Sequence, residues 1–164
     1  MKLLISRLVL LMSMLAITAC GFQLRGAAEL PDELKLLYVQ GVNMQRDFGL
    51  ELRRTLTRNG ITVVDRYQEG AAVLSIIENN FERRVLSVSF SGKVSEYELE
   101  RQIVIQLVDA NSTMLIDAER FEARRDLQFD PDQVIGLGEE QRLLEVQMNE
   151  QLVQSILRRL SVLR

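Results

Sequence analysis

Between Glu96 and Leu107 the chain alternates. Tyr97, Leu99, Ile103, Ile105 and Leu107 fall on one parity, and Glu96, Glu98, Glu100, Gln102 and Gln106 on the other. Successive side chains of a strand point to opposite faces. This segment is therefore a β-strand with one core face and one wet or polar-paired face. Such a sheet must be covered on its apolar face by another element carrying an apolar stripe. Two segments offer one. From Glu139 to Arg159, Leu144, Met148, Leu152, Ile156 and Leu160 recur at a spacing of four, flanked by Leu143, Val146, Val153 and Leu157. Arg158, Arg159 and Arg164 stand at the C-terminal end of that helix, where a helix dipole favours cations. Earlier, Asn43 can cap a helix in which Phe48, Leu52, Thr55 and Leu56 share a face, and Asn59-Gly60 is a left-handed stop signal.

The remaining apolar runs supply further strands. Leu34–Gln40 is short, closed by Gly41, and reads as a strand buried on both faces. Ile61–Val64 resumes an apolar run before a polar loop at Asp65–Gly70. Ala71–Ile77 reads as a strand, and Glu78–Arg84 as a polar break. Val85–Phe90 then alternates toward a hairpin turn at Ser91-Gly92. A second turn, Asp109–Thr113, leads to a strand region over Met114–Phe129. Its first residues fit the face of Phe121, Ala123, Leu127 and Phe129 poorly, so a bulge is expected there. Gly136-Leu137-Gly138 reads as a loop before the last helix. The expected fold is α+β: a two-layer sandwich with two helices packed on one face of a four-stranded, mixed but mostly antiparallel sheet, in the order β-α-β-β-β-α.

The 164 residues make room for one domain. There is no His and a single Cys, Cys20, which removes the usual neutral-pH acid–base group, disulfide scaffolds and Cys-based zinc sites. Trp is absent, aromatics are 5% and the formal net charge is −3. That composition supplies neither a base-stacking platform nor a basic footprint, so nucleic acid is not an expected partner. No G-x-S-x-G, P-loop or G-x-G-x-x-G occurs.

Residues 1–19 read as an address. Lys2 and Arg7 precede an apolar stretch from Leu8 to Ile17, too short to span a bilayer. The stretch ends Ile17-Thr18-Ala19-Cys20, the pattern of a bacterial lipobox: a branched aliphatic, two small residues, then Cys. The Cys20 thiol would receive a diacylglyceryl group, the peptidase would cut before it, and the new amine would be acylated. Two or three acyl chains make anchoring effectively permanent. Gly21 stands where lipoproteins kept at the inner membrane resemble one another in having Asp, which points to the periplasmic side of the outer membrane. The expected organisation is a lipoprotein signal peptide over 1–19, a lipidated tether over 20–33 and a single α+β domain over 34–164.

Two clusters invite chemistry. Glu96, Glu98 and Glu100 stack like charges about 7 Å apart on one face of a strand. They form either a cation site or a partner-facing surface balanced by neighbours such as Arg124. Arg83 and Arg84, with Lys93 beyond the turn, either gather as a cationic cluster for lipid headgroup phosphates or pair across strands with Glu96, Glu98 and Glu122.

Three islands in this order resemble the LPS-assembly lipoprotein family (LptE, also called RlpB): Cys20-Gly21-Phe22-Gln23-Leu24-Arg25-Gly26, the hairpin Ser91-Gly92-Lys93-Val94-Ser95-Glu96-Tyr97, and Phe129-Asp130-Pro131 followed by Glu140-Gln141. The resemblance implies a non-enzymatic outer-membrane lipoprotein that plugs the lumen of the β-barrel translocon LptD and aids insertion of lipopolysaccharide into the outer leaflet. It implies no cofactor beyond the N-acyl diacylglyceryl group on Cys20. It also implies lipopolysaccharide contact through basic positions near the central hairpin, for which Arg83, Arg84 and Lys93 are the candidates here. Glu96, Glu98 and Arg124 are the candidates for facing the barrel. The alternative is a periplasmic lipid-binding lipoprotein serving another lipid-transport complex, which requires a lipid-sized cavity between helices and sheet. If the address is read correctly, Cys20→Ser abolishes incorporation of radiolabelled palmitate in growing cells; unchanged labelling overturns it.

Overall fold

The computed structural model describes residues 31–130 and 134–163; the leader 1–19, Cys20 and Pro131 lie outside them. A short 3-10 turn, Asp32–Leu34, buries Leu34 and delivers the chain into β1 (Leu36–Gln40). Helix α1 (Asp47–Arg58) follows, then β2 (Thr62–Val64), three long strands β3 (Ala72–Val88), β4 (Val94–Val108) and β5 (Met114–Gln128), and helix α2 (Val134–Ser161). The sheet order is β2-β1-β3-β4-β5. β1 runs parallel to both β2 and β3, and the other pairs are antiparallel.

The expected α+β sandwich is present, with five strands in place of four. The extra strand is β2, formed by the short run before the polar loop. Three residues pair it to β1, and the Thr62 N–H donates to the Lys35 carbonyl at 2.7 Å. So short a run has no periodicity of its own, and only the partner strand distinguishes it from a loop. β1 differs from expectation as well. Leu37 and Val39 are buried, but Leu36 and Tyr38 are half-buried, because no second layer covers their face.

The polar stretch Glu78–Arg84 is not a break. β3 runs through it, paired to β4 without interruption of the ribbon. The reason is a bulge. Ile76 opposes Ile105 and Glu78 opposes Val104, leaving Ile77 extra and half-exposed. One inserted residue reverses which parity faces the core. Before it, Ala72, Leu74 and Ile76 point inward; after it, Asn79, Phe81 and Arg83 oppose Ile103, Arg101 and Leu99. The expected irregularity at the start of β5 is also present, between Ile116 and Glu119 and again between Met114 and Ile116. In the turn before β5, the Asp109 carboxylate accepts the N–H groups of Asn111 and Thr113, and the Thr113 bond chiefly holds its pKa below the usual carboxylate value.

Both helices lie over one face of the sheet. Phe48, Leu52 and Leu56 of α1 and Met148, Leu152, Val153, Ile156, Leu157 and Leu160 of α2 join one core with Leu37, Leu74, Leu99, Ile103, Ile105 and Leu127. The spacing-of-four stripe is buried from Met148 to Leu160 and half-buried at Leu144. Leu143 and Val146, read as flanking the stripe, are exposed. α2 begins earlier than expected: Gly136-Leu137-Gly138 belongs to its first turns and not to a loop. At 28 residues it is about 42 Å long, enough to follow the ribbon past the core.

Gly41 ends β1 at φ +84, and a Cβ there would sit 2.1 Å from the Ile76 carbonyl oxygen. Gly60, past the end of α1, also has positive φ but open space around it. Gly41→Ala should therefore cost more than about 3 kcal/mol, and Gly60→Ala about 1 kcal/mol, in urea unfolding. Equal costs would contradict the close approach.

Candidate functional site

The outward face of the three long strands is a polar ladder. Arg84 of β3 donates to Glu98 at 2.7 Å and also bonds Glu100. These two carboxylates, Glu98 first, raise the Arg84 pKa above its ordinary value. From the other side, Arg124 of β5 approaches Glu100 at 3.6 Å and pairs with Glu122. Glu96 accepts from the Ser87 hydroxyl at 2.8 Å and from the Gln128 amide at 3.1 Å. The carboxylate row is thus answered by cross-strand donors, as the pairing alternative required. Among the described residues, no group of three or more Asp, Glu, His or Cys gathers around a point that could hold a metal ion.

Arg83, Arg84 and Lys93 do not converge. Neighbouring strand residues point to opposite faces, so Arg83 turns to the helix side. Its guanidinium lies 4.8 Å from the centre of the Tyr97 ring and donates to Gln141 of α2 at 3.1 Å. Tyr97 in turn meets Phe129 edge-on at 5.4 Å. Lys93 is exposed in the turn, where the Ser89 N–H donates to its carbonyl at 2.7 Å. Leu99 opposes Arg83, and six residues of strand separate it from Lys93, about 20 Å. Lys93 makes no ion pair with any described residue. Around it the hairpin end is apolar: Val85, Leu86, Val88 and Phe90 are all exposed, Phe90 completely.

One residue escaped the sequence reading. Arg101 sits between Leu99 and Ile103 on the core parity of β4 and is 9% exposed. The signal was available, as a charge in an apolar register. Its Nη2 donates to Asn79 at 2.9 Å, and the guanidinium lies 6.0 Å from the centre of Phe48. Burial pulls its pKa down, while Asp47 of α1 and Glu145 of α2 oppose that shift. Those acids flank a cleft of about 270 Å³ between the two helices, whose walls also include Leu50, Arg54, Arg142 and Asn149.

With this geometry in place, the comparisons with known proteins decide the family. The LptE (Lipopolysaccharide-assembly) family model matches residues 34–160. The chain belongs to the LptE family. "LPS-assembly lipoprotein LptE" of Photorhabdus laumondii is 24% identical over 153 residues, covering 93% of this chain and 83% of the relative. Among solved structures, lipoprotein B from Nitrosomonas europaea is 31% identical with a TM-score of 0.70, covering 86% of this chain and 90% of that one. The rare lipoprotein B from Shewanella oneidensis is 26% identical with a TM-score of 0.64, covering 75% of this chain and 91% of that one.

In this LptE-family chain, then, the carboxylates of Glu96, Glu98 and Glu100 are answered within the fold, and Arg83 is stacked on Tyr97. A cation–π contact at a partly exposed site contributes about 0.5–1 kcal/mol. Arg83→Met keeps the stem and removes the charge, so it should lower urea-unfolding stability by about that amount; an unchanged midpoint would deny the stack any energetic role.

Proposed function

We propose that this LptE-family lipoprotein is the plug subunit of a β-barrel translocon, LptD, and aids lipopolysaccharide insertion into the outer leaflet. It acts without catalysis and without a cofactor. The anchor is the acylated Cys20, in the periplasmic side of the outer membrane. The observation that carries the reading is the family match over 34–160 on a domain whose sheet face is polar and charge-paired. A domain inside a large barrel needs such a surface, because barrel lumens are polar. Glu96, Glu98 and Arg124 lie on that face, and the reading assigns them the contact with the lumen wall.

The three basic candidates divide by environment. Arg84 is engaged by two carboxylates and serves the sheet. Lys93, at the hairpin end among exposed apolar side chains, carries the contact with lipopolysaccharide phosphate, and Arg83 offers a separate cation about 20 Å along the ribbon. The space between helices and sheet is filled by Met148, Leu152, Leu99 and Ile103, which disfavours the lipid-carrier alternative.

The test is affinity purification of the tagged, lipidated chain from outer membranes in mild detergent. A stable one-to-one complex with a large β-barrel protein is expected. Lys93→Glu should leave that complex intact and weaken capture of lipopolysaccharide about tenfold or more. A chain that emerges alone, or with an inner-membrane transporter, overturns the reading.

A further inference from the structure

We propose that the tether lays Phe22 and Leu24 across an apolar row on the outward face of the sheet, and so holds the lipid anchor against the base of the domain. The docking needs neither the barrel nor lipopolysaccharide. Only its consequence for the anchor rests on acylation of Cys20.

The outward face is polar along the ribbon but not at its base. There Tyr38 of β1 opposes Val64 of β2 on one side and Val73 of β3 on the other. Val73 in turn opposes Val108 of β4, and Val108 opposes Met114 of β5. Directly opposed residues of a sheet share a face, so these five side chains form one row across all five strands. Neighbouring strands lie about 4.8 Å apart, which makes the row about 19 Å long. Both helices lie on the other face, so no layer covers it. Tyr38, Val64, Val73 and Val108 are half-buried, and Met114 is exposed. Tyr67 stands edge-on to Tyr38 at 6.2 Å and is itself 60% exposed. Two residues further along β1 and β3 the face turns polar. Gln40 donates to the Ser75 hydroxyl at 2.8 Å, and Ser75 opposes Gln106.

The shape of the row selects its occupant. It is one residue deep and five strands wide, which fits a single extended segment laid across the strands. A lipid leaflet pressed on this face would also cover the adjoining polar row, and a polar barrel lumen gains nothing from an apolar stripe. An extended segment is at hand. The chain enters the domain at Pro31, beside β1. Leu24 lies seven residues before Pro31, a reach of about 23 Å, which exceeds the length of the row. Phe22 and Leu24 are two residues apart, so they fall on one side of an extended segment while Gln23 and Arg25 fall on the other. Cys20 stands two residues before Phe22. With Phe22 seated on the row, a leash of up to about 36 Å from Cys20 to Pro31 shortens to a fixed attachment at the base.

The test uses the full lipidated chain in cells. Benzoylphenylalanine replaces Phe22 in one variant and Gln23, on the opposite side, in another. Docking predicts an intramolecular crosslink from position 22 to the strand segments carrying Val73 or Val108, and at least fivefold less from position 23. The double substitution Phe22→Ser and Leu24→Ser lies outside the packed core and does not threaten folding. In the purified chain it should raise hydroxyl-radical oxidation of Met114 at least threefold. A position-22 crosslink that goes to lipid, to another protein or to a second copy overturns the proposal. So does equal crosslinking from positions 22 and 23, or Met114 oxidation that the double substitution leaves unchanged.

Discussion

The register of β4 is the constraint on which the rest depends. This strand is paired on both sides from Glu96 to Val108, so its alternation dictates what each neighbour shows to each face. The Ile77 bulge keeps β3 consistent with it. Without the extra residue, Glu78, Asn80 and Glu82 would turn toward the helices, and Phe81 and Arg83 would turn away from Arg101 and Leu99. With it, the same polar stretch feeds the outward ladder, and the ribbon continues well past the packed core.

The long helix completes what the ribbon starts. Its apolar stripe closes the core at one end, and polar clasps hold it where apolar contact thins. Arg83 reaches Gln141, Arg125 reaches Gln151, and Arg159 reaches Glu119. These contacts run along the helix at the margin of the sheet, and such partly exposed ties contribute modestly one by one. Their effect is positional. They hold α2 against the strands beyond the packed core.

The two faces of the domain therefore differ in kind. The sheet face pairs its central carboxylates: Arg84 and Arg124 flank Glu100, and Glu96 has two donors. The helix face leaves Asn149 and Arg101 incompletely bonded.

Much of this was legible in the residues. The alternation of β4, the spacing-of-four stripe of α2, the Asn59-Gly60 stop and the hairpin at Ser91-Gly92 follow from local periodicity and turn chemistry, which neighbours in sequence determine. β2, the passage of β3 through Glu78–Arg84, and the early start of α2 at Val134 were not legible. Each depends on a partner strand or a packed layer that lies far away in the chain. The site residues divide in the same way. That Glu96, Glu98 and Glu100 share a face is a property of one strand. That Arg83 meets Tyr97 and Gln141 while Arg84 meets Glu98 and Glu100, and that Arg101 and Asn149 are buried, were decided only by tertiary structure. Facing and adjacency are set by a single residue's parity, whereas burial and partnership are set by what the rest of the fold brings against it.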